Sequence, residues 1–245
     1  MRDLNFHGGS LFGSAPGGVY RIDSDGSLVP LAVPGFFVFD AAGNMYVTGA
    51  QRIHKYDSGG QLLNTWSLPG PIAYVDLAAD QCTVYYTNYS PAPIEISRYN
   101  VCTSQALSSL ITGLTGFGGV GNLRILPGSD VLLAMRDAVL RIAPDGQISR
   151  IYSEAFSQIA LDPDGRSFWA ASGMNNVRKI DLDTGGVLAA TTDFGGLAFG
   201  VDSVTVVGEP RAAVSAGAAI PALSAWLLLA LAIAVASVGI WRLHP

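Results

Sequence analysis

Three histidines, His7, His54 and His244, are the side chains best suited to proton transfer or zinc binding near neutral pH. No two of them stand at an HxxxH or HExxH spacing, which would put both imidazoles on one helix face, so the zinc-protease motif is missing. The chain also lacks a G-x-S-x-G elbow and a G-x-x-x-x-G-K-[ST] loop. GFGGVGN, Gly116 to Asn122, is rich in glycine, but its place between two β-rich segments makes it a linker rather than a phosphate cradle. DSDGS, from Asp23, and DPDGR, from Asp162, open like calcium loops yet lack the later oxygen ligands and the Glu at the twelfth position. Both are read as turns. Arg124, Arg136 and Arg166 are of a type that meets acidic glycans, but scattered arginines are ordinary on a rim. Asn88 opens an NYS sequon, a match of low specificity.

The positioning elements must be short and turn-linked. The 245 residues include 29 Gly and 13 Pro, with only 13% charged residues, a composition of many tight turns rather than long helices. The length allows one large β domain or two small ones. A net charge of -5 argues against nucleic acid as a partner, because pairing with phosphates requires a basic footprint. Two cysteines are too few for a dense disulfide framework or a four-cysteine metal site.

Cys82 begins the strand CTVYYT and Cys102 ends IEISRYNVC. A hairpin centred on Ala92 would set residue 86 opposite 98 and Cys82 opposite Cys102, within disulfide reach. The pair is therefore expected to be bridged, which fits an oxidising compartment, rather than to remain as two buried thiols.

Five segments repeat: YRIDSDGSL, HKYDSGGQLL, SRYNVCTSQAL, LRIAPDGQI and RKIDLDTGGVL. Their anchors Ile22, Tyr56, Tyr99, Ile142 and Ile180 are spaced by 34, 43, 43 and 38 residues. Before each anchor comes a β-rich run (SLFGS, NMYVT, TVYYT, VLLAM, SFWAA), and before that run a turn. The pattern predicts units of four antiparallel strands. The inner two are expected to be apolar and packed on both faces, and the outer two to be joined by Asp-Gly or Gly-Gly turns at positive φ. One such unit cannot bury both faces, and a period near 40 with four strands points to an all-β protein, a β-propeller over residues 1–209. Five blades are visible. Six or seven remain open, because Met1 abuts an inner strand and the N-terminus has no apolar export signal, which points to a missing upstream portion.

LAADQCTVYYTN, RYNVCT, LRILPGSDVLLA and LDPDGRSFWAAS resemble stretches of the NHL-type and gluconolactonase-like propellers of bacterial secreted proteins. The gluconolactonase-like resemblance implies a divalent cation at the axis, for which Asp76, Asn122 and Asp162 are the candidate ligands. No other cofactor and no catalytic residue is expected.

Residues 220–245 read IPALSAWLLLALAIAVASVGIWRLHP. From Leu223 to Trp241 there are 19 residues without a charge, about 30 Å as a helix and enough to cross a bilayer. Trp226 and Trp241 suit the two headgroup regions, and Arg242 after the span favours a cytoplasmic C-terminus. Residues 210–219 form an Ala- and Gly-rich linker. Ile220, Pro221, Leu223, Ser224 and Trp226 resemble the IPTL-CTERM sorting signal, which implies an exosortase-type sorting enzyme as partner and the envelope of a Gram-negative bacterium as location.

The leading expectation is an exported, membrane-anchored propeller that binds an unknown polymer or protein ligand without catalysis. The alternatives are a metal-dependent propeller hydrolase or lyase, and a tail-anchored protein whose propeller stays in the cytoplasm with reduced cysteines.

Overall fold

The computed structural model describes residues 3–88, 93–153, 156–172, 176–191 and 203–210. They form five four-stranded antiparallel sheets, arranged as the blades of a β-propeller. Blade 1 contains β1 (Asp3–His7), β2 (Ser10–Ala15), β3 (Gly18–Ile22) and β4 (Leu28–Ala32), and blade 2 contains β5 (Phe37–Phe39), β6 (Met45–Thr48), β7 (Arg52–Tyr56) and β8 (Leu62–Ser67). Blade 3 contains β9 (Val75–Leu77), β10 (Thr83–Thr87), β11 (Ile94–Asn100) and β12 (Gln105–Leu114). Blade 4 contains β13 (Val120–Ile125), β14 (Val131–Met135), β15 (Val139–Ile142) and β16 (Ile148–Tyr152). Blade 5 contains β17 (Gln158–Leu161), β18 (Ser167–Ser172), β19 (Asn176–Asp181) and β20 (Val187–Thr191).

The repeat anchors all fall near the end of the third strand of their blade. Ile22, Tyr56, Tyr99, Ile142 and Ile180 pair with Leu11, Met45, Val84, Val131 and Phe168 on the second strands. The predicted unit is therefore the observed blade, in the expected strand order. Its outer turns form as the composition requires: Gly26, Gly60 and Gly146 have φ of 82°, 84° and 84°. In the same turns Asp25, Asp57 and Asp145 each accept an N–H from a residue two positions on.

Side chains alternate along each strand, so one face of a sheet packs on the blade before it and the other on the blade after it. Met45 and Val47 join Phe12 and Val19 between blades 1 and 2, while Tyr46 joins Val75 and Val84 between blades 2 and 3. Leu123 and Leu133 pack against Ile94 and Ile96 between blades 3 and 4, and Leu132 packs with Ile159 and Phe168 between blades 4 and 5. Of the GFGGVGN segment, residues 116–119 lie between β12 and β13, as expected of a linker, while Val120, Gly121 and Asn122 open β13. A Cβ at Gly121 would land on the Ser157 carbonyl of the next blade, which explains a glycine inside that strand.

The Cys82–Cys102 disulfide is formed, with Cα atoms 5.3 Å apart. The register behind that expectation is one residue out. Thr83 faces Asn100 and Tyr86 faces Ser97, and Cys82 O accepts the Val101 N–H at 2.8 Å. Cys102 thus lies one step past the last ladder bond, in the turn after β11, and bridges diagonally to Cys82.

Candidate functional site

The innermost strands β1, β5, β9, β13 and β17 follow one another around the axis. Each is hydrogen-bonded on one side only, so alternate backbone N–H and C=O groups face the axis. A buried amide without a partner costs about 1–3 kcal/mol. The expectation of apolar inner strands overlooked this cost. The inner strands instead carry Asp3, Asn5, Asp76, Asn122, Arg124 and Gln158, all buried.

Asp3, Asn5, Asp76 and Asn122 reach to the next blade and satisfy axis-facing backbone groups there. Asp3 Oδ2 accepts the Phe37 N–H at 3.2 Å, and Asn5 Nδ2 donates to Phe37 O at 3.0 Å. Asp76 Oδ2 accepts the Ile125 N–H at 2.8 Å, and its Oδ1 accepts the Leu77 N–H at 2.9 Å. Asn122 meets both groups of one residue: its Oδ1 accepts the Ile159 N–H and its Nδ2 donates to Ile159 O, each at 2.8 Å. Asn122 therefore does in blade 4 what Asp3 and Asn5 do jointly in blade 1.

A further axial amide is held by a residue outside the blades. Glu209, in the segment 203–210, accepts the Leu161 N–H at 2.7 Å through Oε1. The same oxygen accepts Arg124 Nε at 3.0 Å, and Arg124 Nη1 donates to Leu123 O at 3.0 Å. The Arg124 and Glu209 side chains are 8% and 4% exposed, so this ion pair is shielded from water. Burial alone would favour the neutral guanidine, but the Glu209, Asp76 and Asp3 carboxylates outweigh it and raise the Arg124 pKa above its usual value. Arg124 Nη2 and Glu209 Oε2 have no hydrogen-bond partner among the described residues.

The candidate metal ligands occupy unlike places. Asp76 and Asn122 lie on adjacent inner strands, but their oxygens are committed to the amides just named. Asp162 lies in the turn after β17, where its Oδ2 accepts Trp169 Nε1 at 2.8 Å and pairs with Lys179 Nζ at 2.9 Å. Among the described residues no group of three or more His, Cys, Asp or Glu is arranged to hold a metal ion. The three side chains do not fit a shared divalent cation, since each already serves backbone or ion-pair partners.

Sequence reasoning did not find Glu209, and it set Arg124 among rim arginines. The available signal was the alternation Asn122, Arg124 within an otherwise apolar strand, which places both on one face. Nothing local announces the partner, 85 residues away. The Asn88 side chain spans its own hairpin, donating to Pro93 O and accepting the Glu95 N–H. The sorting and topology residues Ile220, Pro221, Leu223, Ser224, Trp226, Trp241 and Arg242 lie outside the described residues, and among the described residues no helix is long and apolar enough to cross a membrane.

No family model and no curated protein matches the chain. Among solved structures it is similar to a protein of unknown function from Bacteroides caccae, with TM-score 0.58, 16% identity, and 73% and 70% of the two chains covered. It is similar to hydrazine synthase of Kuenenia stuttgartiensis, with TM-score 0.58, 15% identity, and 76% and 64% covered. A functionally unknown protein from Desulfotomaculum acetoxidans follows, with TM-score 0.51, 14% identity, and 74% and 62% covered. The chain spans less than two thirds of the length of the last two. At these identities the likeness establishes a shared fold: the chain is a five-bladed β-propeller, similar to proteins whose functions are unlike or unknown.

Proposed function

We propose that this protein is an exported, membrane-anchored β-propeller that serves the cell envelope as a non-enzymatic binding module. The observation that carries the reading is the Cys82–Cys102 disulfide, because structural disulfides persist in oxidising compartments outside the cytoplasm. The uncharged span from Leu223 to Trp241 supplies the anchor, and the IPTL-CTERM-like residues Ile220, Pro221, Leu223, Ser224 and Trp226 offer an exosortase-type enzyme its signal. The binding role is supported by the axis, where Asp3, Asp76 and Asn122 are engaged in holding blade to blade, which leaves the loops of the ring for recognition. The hydrolase alternative draws on the carboxylates Asp3, Asp76 and Glu209 around Arg124, but their hydrogen bonds fit an amide-capping role better than a cation.

The test is protease accessibility of an epitope placed in a blade 4 turn, in intact spheroplasts expressing the chain from its genomic frame. Digestion without lysis is expected. Protection until lysis would put the propeller in the cytoplasm and contradict export, sorting and an oxidised disulfide together.

A further inference from the structure

The turn 49–51 between β6 and β7 is wrapped by the segment leaving β8: Leu68 N–H donates to Gln51 O at 3.0 Å and Ile72 N–H to Ala50 O at 3.2 Å. The two segments border an open surface recess of about 500 Å³ lined by the exposed Ala50, Gln51, Arg52 and Pro71 and the half-buried His54, with no acidic side chain among them. That volume lies within the roughly 300–1,000 Å³ of small-molecule sites. Arg21, Arg98, Arg124 and Arg141 have side-chain partners, while Arg136, Arg150 and Arg166 have none among the described residues but do not line the recess. Arg52 has no ion-pair or side-chain hydrogen-bond partner among the described residues. His54 Nδ1 lies 3.0 Å from Thr65 Oγ1, while its Nε2 has no partner among the described residues. Burial and the nearby Arg52 charge push the His54 pKa below its ordinary value.

We propose that this recess binds a uronic acid residue of an acidic polysaccharide. The proposal rests on the binding-module reading and gives it a ligand class. The planar guanidinium of Arg52 matches a carboxylate bidentately, which a compact ammonium does not. When the Thr65 hydroxyl donates to Nδ1, Nε2–H becomes a second donor beside Arg52. The Gln51 amide offers both a donor and an acceptor to ring hydroxyls, and Ala50 and Pro71 offer apolar contact to the C–H face of a pyranose. A neutral sugar leaves Arg52 unmatched, and a bare carboxylate leaves the rest of the recess unfilled.

The full chain in detergent micelles is titrated with sodium D-glucuronate while the His54 imidazole resonance, assigned with His54→Gln, is followed by proton NMR. D-glucose, acetate, inorganic phosphate and an Asp-rich peptide are run in parallel. Glucuronate is expected to move the resonance saturably. Binding should weaken about tenfold or more with D-glucose or in Arg52→Gln, as expected for loss of a charged hydrogen bond, and stay unchanged in Arg166→Gln. An unmoved resonance, equal binding by Arg52→Gln, or tighter binding of phosphate or of the peptide overturns the proposal. Digestion in spheroplasts without glucuronate binding removes the recess alone. Glucuronate binding with protection in spheroplasts removes the envelope reading and the polysaccharide role with it.

Discussion

The axis and the rim of this ring are both rows of sheet edges, and they are built from opposite residues. At the axis, Asp3, Asn5, Asp76 and Asn122 are buried and bound to the backbone of the next blade. At the rim, Leu28, Leu62, Ile148 and Val187 are 49%, 51%, 37% and 48% exposed, each opposite an anchor residue. Polar groups inside and apolar groups outside invert the usual order. The cause is the backbone. Water satisfies the free amides of the outermost strands, so their side chains carry no such duty. Water-shielded inner edges need side chains to satisfy theirs.

Breaking the axial ion pair should show the largest difference between the two regions. Arg124→Met or Glu209→Ala, each leaving the other charge buried and unpaired, is expected to cost about 3–5 kcal/mol in urea unfolding. The double variant Arg124→Met/Glu209→Leu should cost less than the sum of the singles, because it leaves no orphaned charge. Additive losses would mean the two residues act separately. Next in size, reducing the Cys82–Cys102 bridge is expected to lower stability by about 3 kcal/mol, read as a shift in the unfolding midpoint with and without reductant. The rim should respond least. Leu62→Ser is expected to change stability by no more than about 0.5 kcal/mol, and a loss of several times that would show the exposed leucine to be packed against something.

Legibility in the sequence follows the same division. The rim turns announce themselves because positive φ calls for glycine, and an Asp side chain closes the turn over two or three residues: DSDG, DSGG and PDGQ carry their own explanation. The second strands are legible because burial on both faces demands unbroken apolar runs such as VLLAM, buried at every residue. From these signals the four-stranded unit, its anchors and five visible copies could be read before any coordinates. The axis could not. Asp76 and Asn122 look like ligands because their residue types suit a cation, while their partners, Ile125 and Ile159, contribute only main-chain atoms, which leave no mark in a sequence. Arg124 and Glu209 pair because the 203–210 segment returns to the inner strands of blades 4 and 5, a relation set by topology rather than by spacing. The disulfide was found despite a register error of one residue, since a diagonal pair beyond the last ladder bond lies as close as a directly opposed one.

The central claim is that the polar residues of the axis exist to cap inner-strand amides. Hydrogen exchange at single amides tests it most directly, comparing wild type with Asn122→Ala under native conditions. The account predicts that Ile159 N–H, which donates to Asn122 Oδ1, loses protection selectively, while Ile125 N–H, held by Asp76, exchanges as before. Unchanged protection at Ile159 in a folded Asn122→Ala protein would contradict it, and would return Asn122 to the list of residues in search of a ligand.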